Sequence, residues 1–242
     1  MPVRLSILGS GNAFGAGGGN ASALLGEHVL VDVGSPPHLL LPRLGLSIHD
    51  IHLVLLTHFH YDHTAMLPIL LGALAWDERT APGRLVIAGP VGAREMAEGL
   101  VGVGFGAGMQ RRIDERVAPE YAVLQDGGDV VLCGYRVRSH AVVHSTGPSL
   151  AYAVTGDGVR VGFTGDTTLC AGLRRLCAEV DVLVCECSSL DGPAGGGHLW
   201  RGEVEELVAA YPQVRFLLNH LPRRGSVPGA LIAHDLLTLD LS

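Results

Sequence analysis

The sequence contains no lysine, no CxxC pair, no long apolar run and no basic tract. All 17 basic residues are arginine, and with 24 acidic residues the formal net charge is −7. An acidic chain without a basic tract argues against extended nucleic-acid binding. No apolar run approaches the roughly 18–20 residues that span a bilayer, so we expect no membrane association.

Cysteine is sparse and shows no pairing pattern. The chain has five cysteines, an odd number: Cys133, Cys170, Cys177, Cys185 and Cys187. This pattern favours reduced, mostly buried thiols and hence a cytoplasmic location. The apolar run at residues 3–8 breaks into glycines, so we interpret it as a first strand and not as a signal peptide. The glycine-rich stretch 9–20 lacks the G-x-x-x-x-G-K pattern of a phosphate-binding loop.

The composition predicts one globular domain over residues 1–242, because 48% of the 242 residues are hydrophobic and only 17% are charged. Strand patterns fall at 3–8, 21–26, 28–34, 51–56, 83–89, 180–186 and 214–219, with hairpins over 129–144 and 149–167. Helices are predicted at 36–44, 64–76, 90–102, 168–178, 201–210 and 229–240, and residues 104–108 as a glycine-rich loop. Such a pattern predicts an α/β fold in which two mixed sheets carry helices on the outside.

Residues 57–63 read THFHYDH and directly follow an apolar strand pattern. Imidazole and carboxylate groups are good ligands for zinc and similar divalent ions. His58 and His60 are two residues apart, so both point the same way on an extended segment. With Asp62 and His63 the loop offers four ligands, too many for one tetrahedral ion with an open position. We therefore predict two metal ions that share this loop.

Further ligand candidates stand at the ends of later strands. His144 ends SHAVVH, Asp166 ends VGFTGD and His220 ends RFLLNH. Each follows an apolar run and precedes a turn. Because residues at the carboxyl ends of strands gather at one rim of a sheet, these three are predicted to converge on the histidine loop.

These motifs resemble the metallo-β-lactamase superfamily. THFHYDH matches its H-x-H-x-D-H motif, and VDVG (31–34), His144, Asp166 and His220 follow in the family's order. The resemblance implies a four-layer αβ/βα sandwich with a dinuclear site. It implies that His58, His60 and His144 hold one metal, that Asp62, His63 and His220 hold the other, that Asp166 bridges them, and that Asp32 orients the histidine loop.

The metals implied are two divalent ions. Flavodiiron-type relatives carry an acidic residue where this chain has His60, so the resemblance favours zinc-type hydrolysis over iron redox chemistry. Sites built from oxygen and nitrogen ligands also accept manganese or iron.

The stretch LGSGNAFGAGGGNASALL (8–25) resembles the N-terminal signature of the ribonuclease Z and phosphodiesterase branch. That branch implies a catalytic role for Glu186 and His198 beside Asp62, with His198 protonating the leaving oxygen and Glu186 orienting it. The chain departs from the branch at these motifs, since Cys187 and Ser188 follow Glu186. His144 and Asp166 are 22 residues apart, too close for the tRNA-gripping arm of ribonuclease Z proper.

We therefore predict a metal-dependent hydrolase in which a hydroxide shared by two metals attacks a small phosphodiester, such as a cyclic nucleotide. Ser145, Thr146, Thr167 and Arg223 or Arg224 are candidates for phosphate contacts. The alternative is a carbonyl-ester hydrolase, that is, a lactonase, a thioesterase or a β-lactamase-like enzyme. A tRNA 3′-processing endonuclease and a non-catalytic metal-binding protein rank lower. The predicted partner is a small-molecule substrate, nucleic acid is not favoured, and a homodimer is open.

Overall fold

The computed structural model describes residues 3–78, 83–193 and 195–241. Fourteen strands are assigned there: β1 Arg4–Gly9, β2 Ser22–Leu25, β3 Val29–Val31, β4 Leu53–Leu55, β5 Val86–Gly89, β6 Glu120–Val123, β7 Asp129–Leu132, β8 Tyr135–Val142, β9 Ser149–Gly156, β10 Val159–Phe163, β11 Val182–Glu186, β12 Arg215–Asn219, β13 Leu231–Ile232 and β14 Thr238–Asp240. The α-helices are α1 Pro37–Leu40, α2 Tyr61–Thr64, α3 Leu67–Trp76, α4 Ala93–Arg116, α5 Ala171–Glu179 and α6 Arg201–Ala210. Leu41–Leu44 and Ile48–Asp50 are short 3₁₀ helices.

The strands form two mixed sheets of seven strands each. The first sheet has the order β14-β1-β2-β3-β4-β5-β6, and the second has the order β13-β12-β11-β10-β9-β8-β7. In the first sheet β3, β4, β5 and β6 run parallel, whereas in the second sheet β10 to β13 run parallel. The remaining neighbours are antiparallel.

Three apolar clusters hold the layers together. One joins the two sheets face to face and includes Leu55 of β4 and Tyr152 of β9. A second packs the outer face of the first sheet against α3 and α4. The third packs the outer face of the second sheet against α5 and α6. This order of layers confirms the predicted four-layer αβ/βα sandwich.

Two of the predicted elements were wrong. Residues 104–108 are not a loop, because α4 continues to Arg116 with only Gly106 outside helical geometry (φ 77°, ψ 177°). Burial of Val101 and Ile113 on either side of this break keeps the segment packed. Residues 229–240 are not a helix, since β13 and β14 extend the two sheets there. Thr238 pairs with Ser6, and their hydroxyl oxygens are 3.0 Å apart.

None of the helices in the described residues combines the length and the hydropathy needed to cross a bilayer. The cysteines are all free thiols.

Both sheets fix the loop that follows β4. The Tyr152 hydroxyl donates to the carbonyl of Leu56 at 2.7 Å, and the Leu150 amide donates to the carbonyl of Thr57 at 2.9 Å. On the other side, Gly34 lies against the backbone of Asp62, so close that a Cβ there would lie 1.8 Å from the Asp62 carbonyl oxygen. The loop is therefore held between two rigid sheets.

This close approach gives a stability prediction. Gly34→Ala should lower the free energy of unfolding by about 1–3 kcal/mol, because overpacking forces the backbone apart. Gly99→Ala is the matched control, since a Cβ at this helical position meets no atom within 4 Å. It should be neutral or stabilise by about 0.5–1 kcal/mol. Urea unfolding of both variants measures the difference, and equal stabilities would contradict this packing.

Candidate metal centre

The THFHYDH loop leaves β4 at the carboxyl edge of the first sheet. β4 is fully buried, so the chain that continues from it enters the interior and not solvent. His58 is buried, and His60 is half-buried directly before α2. Asp62 and His63 lie in α2 itself and are buried. Because Asp62 and His63 lie in this short helix, they point in a different direction from His58 and His60.

The strand-end candidates meet this loop as predicted. His144 follows β8, Asp166 follows β10 and His220 follows β12, strands that share one direction in the second sheet. Two clusters of ligand atoms result, and within each cluster the atoms lie within 4.8 Å of one another. The first contains His58, His60, His144 and Asp166, and the second contains Asp62, His63, Asp166 and His220.

Asp166 belongs to both clusters and lies at their centre. Its Oδ2 is 3.6 Å from His58 Nε2, 3.8 Å from His144 Nε2 and 3.4 Å from His220 Nε2. Its Oδ1 is 3.3 Å from His63 Nε2. Asp166 therefore lies between the two clusters and contributes a carboxylate oxygen to each.

Other ligand atoms lie within hydrogen-bonding distance of one another. His144 Nε2 lies 3.0 Å from His60 Nδ1, and His220 Nε2 lies 3.0 Å from Asp62 Oδ2. His58 Nε2, His63 Nε2 and Asp166 Oδ1 are buried and lack a hydrogen bond of good geometry. Such unsatisfied groups cost about 1–3 kcal/mol each. A divalent cation satisfies lone pairs of this kind, so the donor set fits a metal centre.

The ionisation of two buried groups also suits a cation, whereas in His63 the effect of burial is outweighed by the carboxylates of Asp166 and Asp32, which raise the pKa well above its ordinary value. Burial, reinforced by the neighbouring His63, lowers the pKa of His58 far below its ordinary value and keeps the ring neutral. Burial raises the pKa of Asp166, but the charges of His63 and His220 outweigh it and hold that pKa well below the ordinary value. A neutral imidazole and an ionised carboxylate are the forms that bind metal.

Asp32 connects the loop to the first sheet. It follows β3 with a left-handed backbone (φ 57°) and is buried. Its Oδ1 accepts from the Thr57 amide at 2.9 Å, and its Oδ2 accepts from the Thr57 hydroxyl at 2.8 Å and contacts His63 Nδ1 at 2.7 Å. Bonds to the far nitrogen of a ligand histidine fix its ring orientation and tautomer.

Glu186 and His198 lie beside the metal-ligand clusters. His198 Nδ1 is 3.2 Å from Glu186 Oε1 and 3.7 Å from Asp166 Oδ2, and the Thr167 amide donates to Glu186 Oε1 at 2.7 Å. Burial lowers the pKa of His198, but the hydrogen bond and charge of Glu186, together with Asp166, outweigh it and raise that pKa. The pair predicted from sequence is thus brought together at the centre.

Sequence reasoning missed Ser188, whose hydroxyl contacts Glu186, His198 and His220. The sequence signal is the serine hydroxyl two residues after Glu186 in CECSS, a position that we considered only as a departure from the family motif.

Among the residues predicted to contact phosphate, Arg223 forms an ion pair with Asp191 at 2.8 Å. The Thr167 hydroxyl donates to the Thr168 carbonyl, and no contact between Ser145, Thr146 or Arg224 and the ligand clusters is found in the described residues.

A cleft of about 700 Å³ opens over the clusters. Its floor includes His60, Asp62, Asp166, His198 and His220. Two aromatic side chains line its mouth: Phe14, which is fully exposed, and Tyr61, which is two-thirds exposed. The Asn12 side chain holds the Phe14 loop, because its Oδ1 accepts from the amides of Phe14 and Gly15.

Comparison with known proteins agrees with this geometry. Ribonuclease Z of Methanosarcina acetivorans is 30% identical over 156 residues, which are 63% of this chain and 48% of that protein. The chain thus spans about half the length of that relative.

Solved structures with low sequence identity share the fold. YhfI of Bacillus subtilis, described as a metallo-β-lactamase fold protein, superposes with a TM-score of 0.76 at 20% identity over 98% of both chains. Zn²⁺-bound PqqB of Methylobacterium extorquens superposes with a TM-score of 0.69 at 18% identity, over 98% of this chain and 100% of PqqB.

The family described as "Anti-Pycsar protein Apyc1" matches residues 3–220, nearly the whole chain and every ligand candidate. The resemblance to the metallo-β-lactamase superfamily and its ribonuclease Z-like branch is confirmed, and the chain belongs to the Anti-Pycsar protein Apyc1 family.

Proposed function

We propose that this protein is a metal-dependent phosphodiester hydrolase that acts on a small substrate with two divalent cations, zinc in the first place. The observation that carries the proposal is Asp166, a buried carboxylate shared by two ligand clusters, with the Glu186–His198 pair against it. The ribonuclease Z relative supports phosphodiester cleavage, and the zinc in PqqB supports the choice of metal.

The residues divide into two metal-binding sets. His58, His60, His144 and Asp166 would hold one cation, and Asp62, His63, Asp166 and His220 the other. When bound, such a pair of cations supplies a water nucleophile activated near neutral pH and stabilises the charge that grows on phosphate oxygens. Asp32 would keep His63 in orientation throughout.

His198 is the proposed proton donor to the leaving oxygen. Its Nδ1 faces Glu186 inside the protein, while the ring lines the cleft, which leaves Nε2 to serve the substrate. An alkoxide that leaves from phosphorus needs a proton, and the carboxylates around His198 raise its pKa and so favour the protonated donor. In this proposal the loop and the strand-end residues bind the metals, and His198 transfers the proton.

The cleft supports a small substrate with a planar ring, such as a cyclic nucleotide. Its volume lies in the range of small-molecule sites, roughly 300–1,000 Å³. Phe14 and Tyr61 present exposed rings at its mouth, where a base can stack. Between His144 and Asp166 the chain forms only the hairpin of β9 and β10, so a long RNA-gripping arm has no place there. This makes tRNA processing the weaker candidate.

We also propose a cytoplasmic location for this protein. The free thiols fit a reducing, cytoplasmic compartment. The extent of the domain, residues 1–242, and the homodimer stay predictions.

The first test is a panel of activities. The metal-free protein should be inactive, and Zn²⁺ or Mn²⁺ should restore turnover of bis(p-nitrophenyl) phosphate and of cyclic nucleotides. Lactone and thioester substrates, assayed under the same conditions, represent the carbonyl-ester alternative. Ester cleavage without phosphodiester turnover in the presence of Zn²⁺, Mn²⁺ or Fe²⁺ would contradict the proposed reaction.

Two substitutions separate metal binding from proton transfer. His198→Ala should lower kcat by about 10²–10⁴-fold on phosphodiesters with poor leaving groups and leave metal content intact, because general acid catalysis is lost. Asp166→Ala should reduce the bound metal itself. Elemental analysis and steady-state kinetics measure both effects. The exposed His234 provides the control His234→Ala, and equal metal loss in the Asp166 and His198 variants would refute the separate roles.

The aromatic mouth gives a test of substrate class. Phe14→Ala should raise KM for cyclic nucleotides by roughly 10-fold, because one ring stacked on a base contributes about 1–3 kcal/mol. It should leave KM unchanged for a phosphodiester without a ring or a cationic group, such as glycerophosphoglycerol. Val131→Ala removes an exposed apolar side chain on β7 and serves as the control. An equal change in KM for both kinds of substrate would argue against stacking.

A further inference from the structure

The hydroxyl of Ser188 lies where the metal-ligand clusters meet the proton-donor pair. Ser188 lies two residues after the end of β11 and is half-buried. Its Oγ is 2.7 Å from Glu186 Oε2, 2.8 Å from His220 Nδ1 and 3.2 Å from His198 Nδ1. One small side chain thus contacts a carboxylate and two imidazoles at once.

The hydrogen-bonding capacity of a hydroxyl decides how these contacts are made. A serine hydroxyl has one hydrogen to donate and two lone pairs that accept. The Glu186 carboxylate only accepts, so Ser188 donates to it. Both remaining contacts must then be accepted by Ser188, which requires a proton on Nδ1 of His220 and on Nδ1 of His198. The three bonds use the full capacity of the hydroxyl.

When Nδ1 of each histidine is protonated and bound to Ser188, its Nε2 atom is free to face the metal-ligand cluster or the substrate. His220 Nε2 is 3.0 Å from Asp62 Oδ2 and 3.4 Å from Asp166 Oδ2, inside the second ligand cluster, where its lone pair would be needed to bind a cation. His198 Nδ1 also contacts Glu186 Oε1, which can only accept a hydrogen bond. A proton on Nδ1 therefore suits both the Ser188 and the Glu186 contact.

We propose that Ser188 is a positioning residue that fixes the ring orientation and tautomer of His220 and His198 together, and so couples one metal site to the proton donor. The inference rests on the function proposed above. Other ligand histidines have partners of their own: His63 contacts Asp32, His144 contacts the Gly197 carbonyl, and His58 contacts the Thr57 hydroxyl. Among these partners, Ser188 is the one that also contacts the Glu186–His198 pair.

Three variants test this role. Ser188→Ala removes the hydroxyl, Ser188→Thr keeps it, and Ser189→Ala is the matched control. The neighbouring Ser189 hydroxyl donates to the Gly192 carbonyl and contacts none of the ligand histidines. Zinc affinity is measured by chelator competition, and kcat and KM are measured with phosphodiesters of graded leaving-group pKa.

Ser188→Ala should weaken binding of one of two zinc ions by about 10–100-fold, the usual effect of removing a group that orients a ligand. At saturating zinc it should lower kcat more than it changes KM, and most for poor leaving groups. Ser188→Thr should restore zinc affinity and kcat towards the unmodified protein, and Ser189→Ala should match the unmodified protein in zinc affinity.

Several outcomes would overturn the proposal. These are unchanged zinc affinity in Ser188→Ala, equal impairment in Ser188→Ala and Ser188→Thr when both are folded by circular dichroism, and lowered zinc affinity with normal kcat at saturating zinc. If Ser188→Ala does not fold, Ser188→Cys replaces it, since a thiol is a weak donor and acceptor of similar size. If the unmodified protein cleaves no phosphodiester, the proposed function fails, while the zinc-affinity measurement still decides the role of Ser188 toward His220.

Discussion

The bonds between Asp32 and the histidine loop are the constraint on which the site depends. One buried carboxylate accepts from the amide and hydroxyl of Thr57 and contacts the far nitrogen of His63. The loop is thereby tied to the end of β3, while Tyr152 ties Leu56 to the second sheet. Every other ligand candidate comes from a strand of that second sheet, so the fixed loop sets the position where the two halves of the centre meet.

The centre is also where the protein accepts an electrostatic cost. Buried nitrogens of His58 and His63 and an oxygen of Asp166 approach one another without hydrogen bonds that would satisfy them. If stability were the only requirement, apolar side chains would be buried at this position, as they are in the three apolar clusters that pack the sheets and helices. Because a cation relieves this cost, metal binding and the stability of the surrounding loop are coupled. The two sheets hold the ligand atoms in place.

Much of this arrangement was predictable because it follows from local patterns. Ligand residues that end apolar strands converge whenever those strands run in one direction, as β8, β10 and β12 do. Features that depend on contacts distant in sequence were not predictable. Ser188 meets His220 only because β11 and β12 pair in parallel, and α4 passes through its glycines because flanking residues pack on the first sheet. The C-terminal strands depend on pairing with β1 and β12, at opposite ends of the chain and in different sheets.

The most direct test of the central claim is anomalous diffraction from a crystal grown with Zn²⁺. The account predicts two peaks, one on each side of the Asp166 carboxylate, with His58, His60 and His144 around one and Asp62, His63 and His220 around the other. Peaks elsewhere, or a centre in which Asp166 contacts no metal, would contradict it.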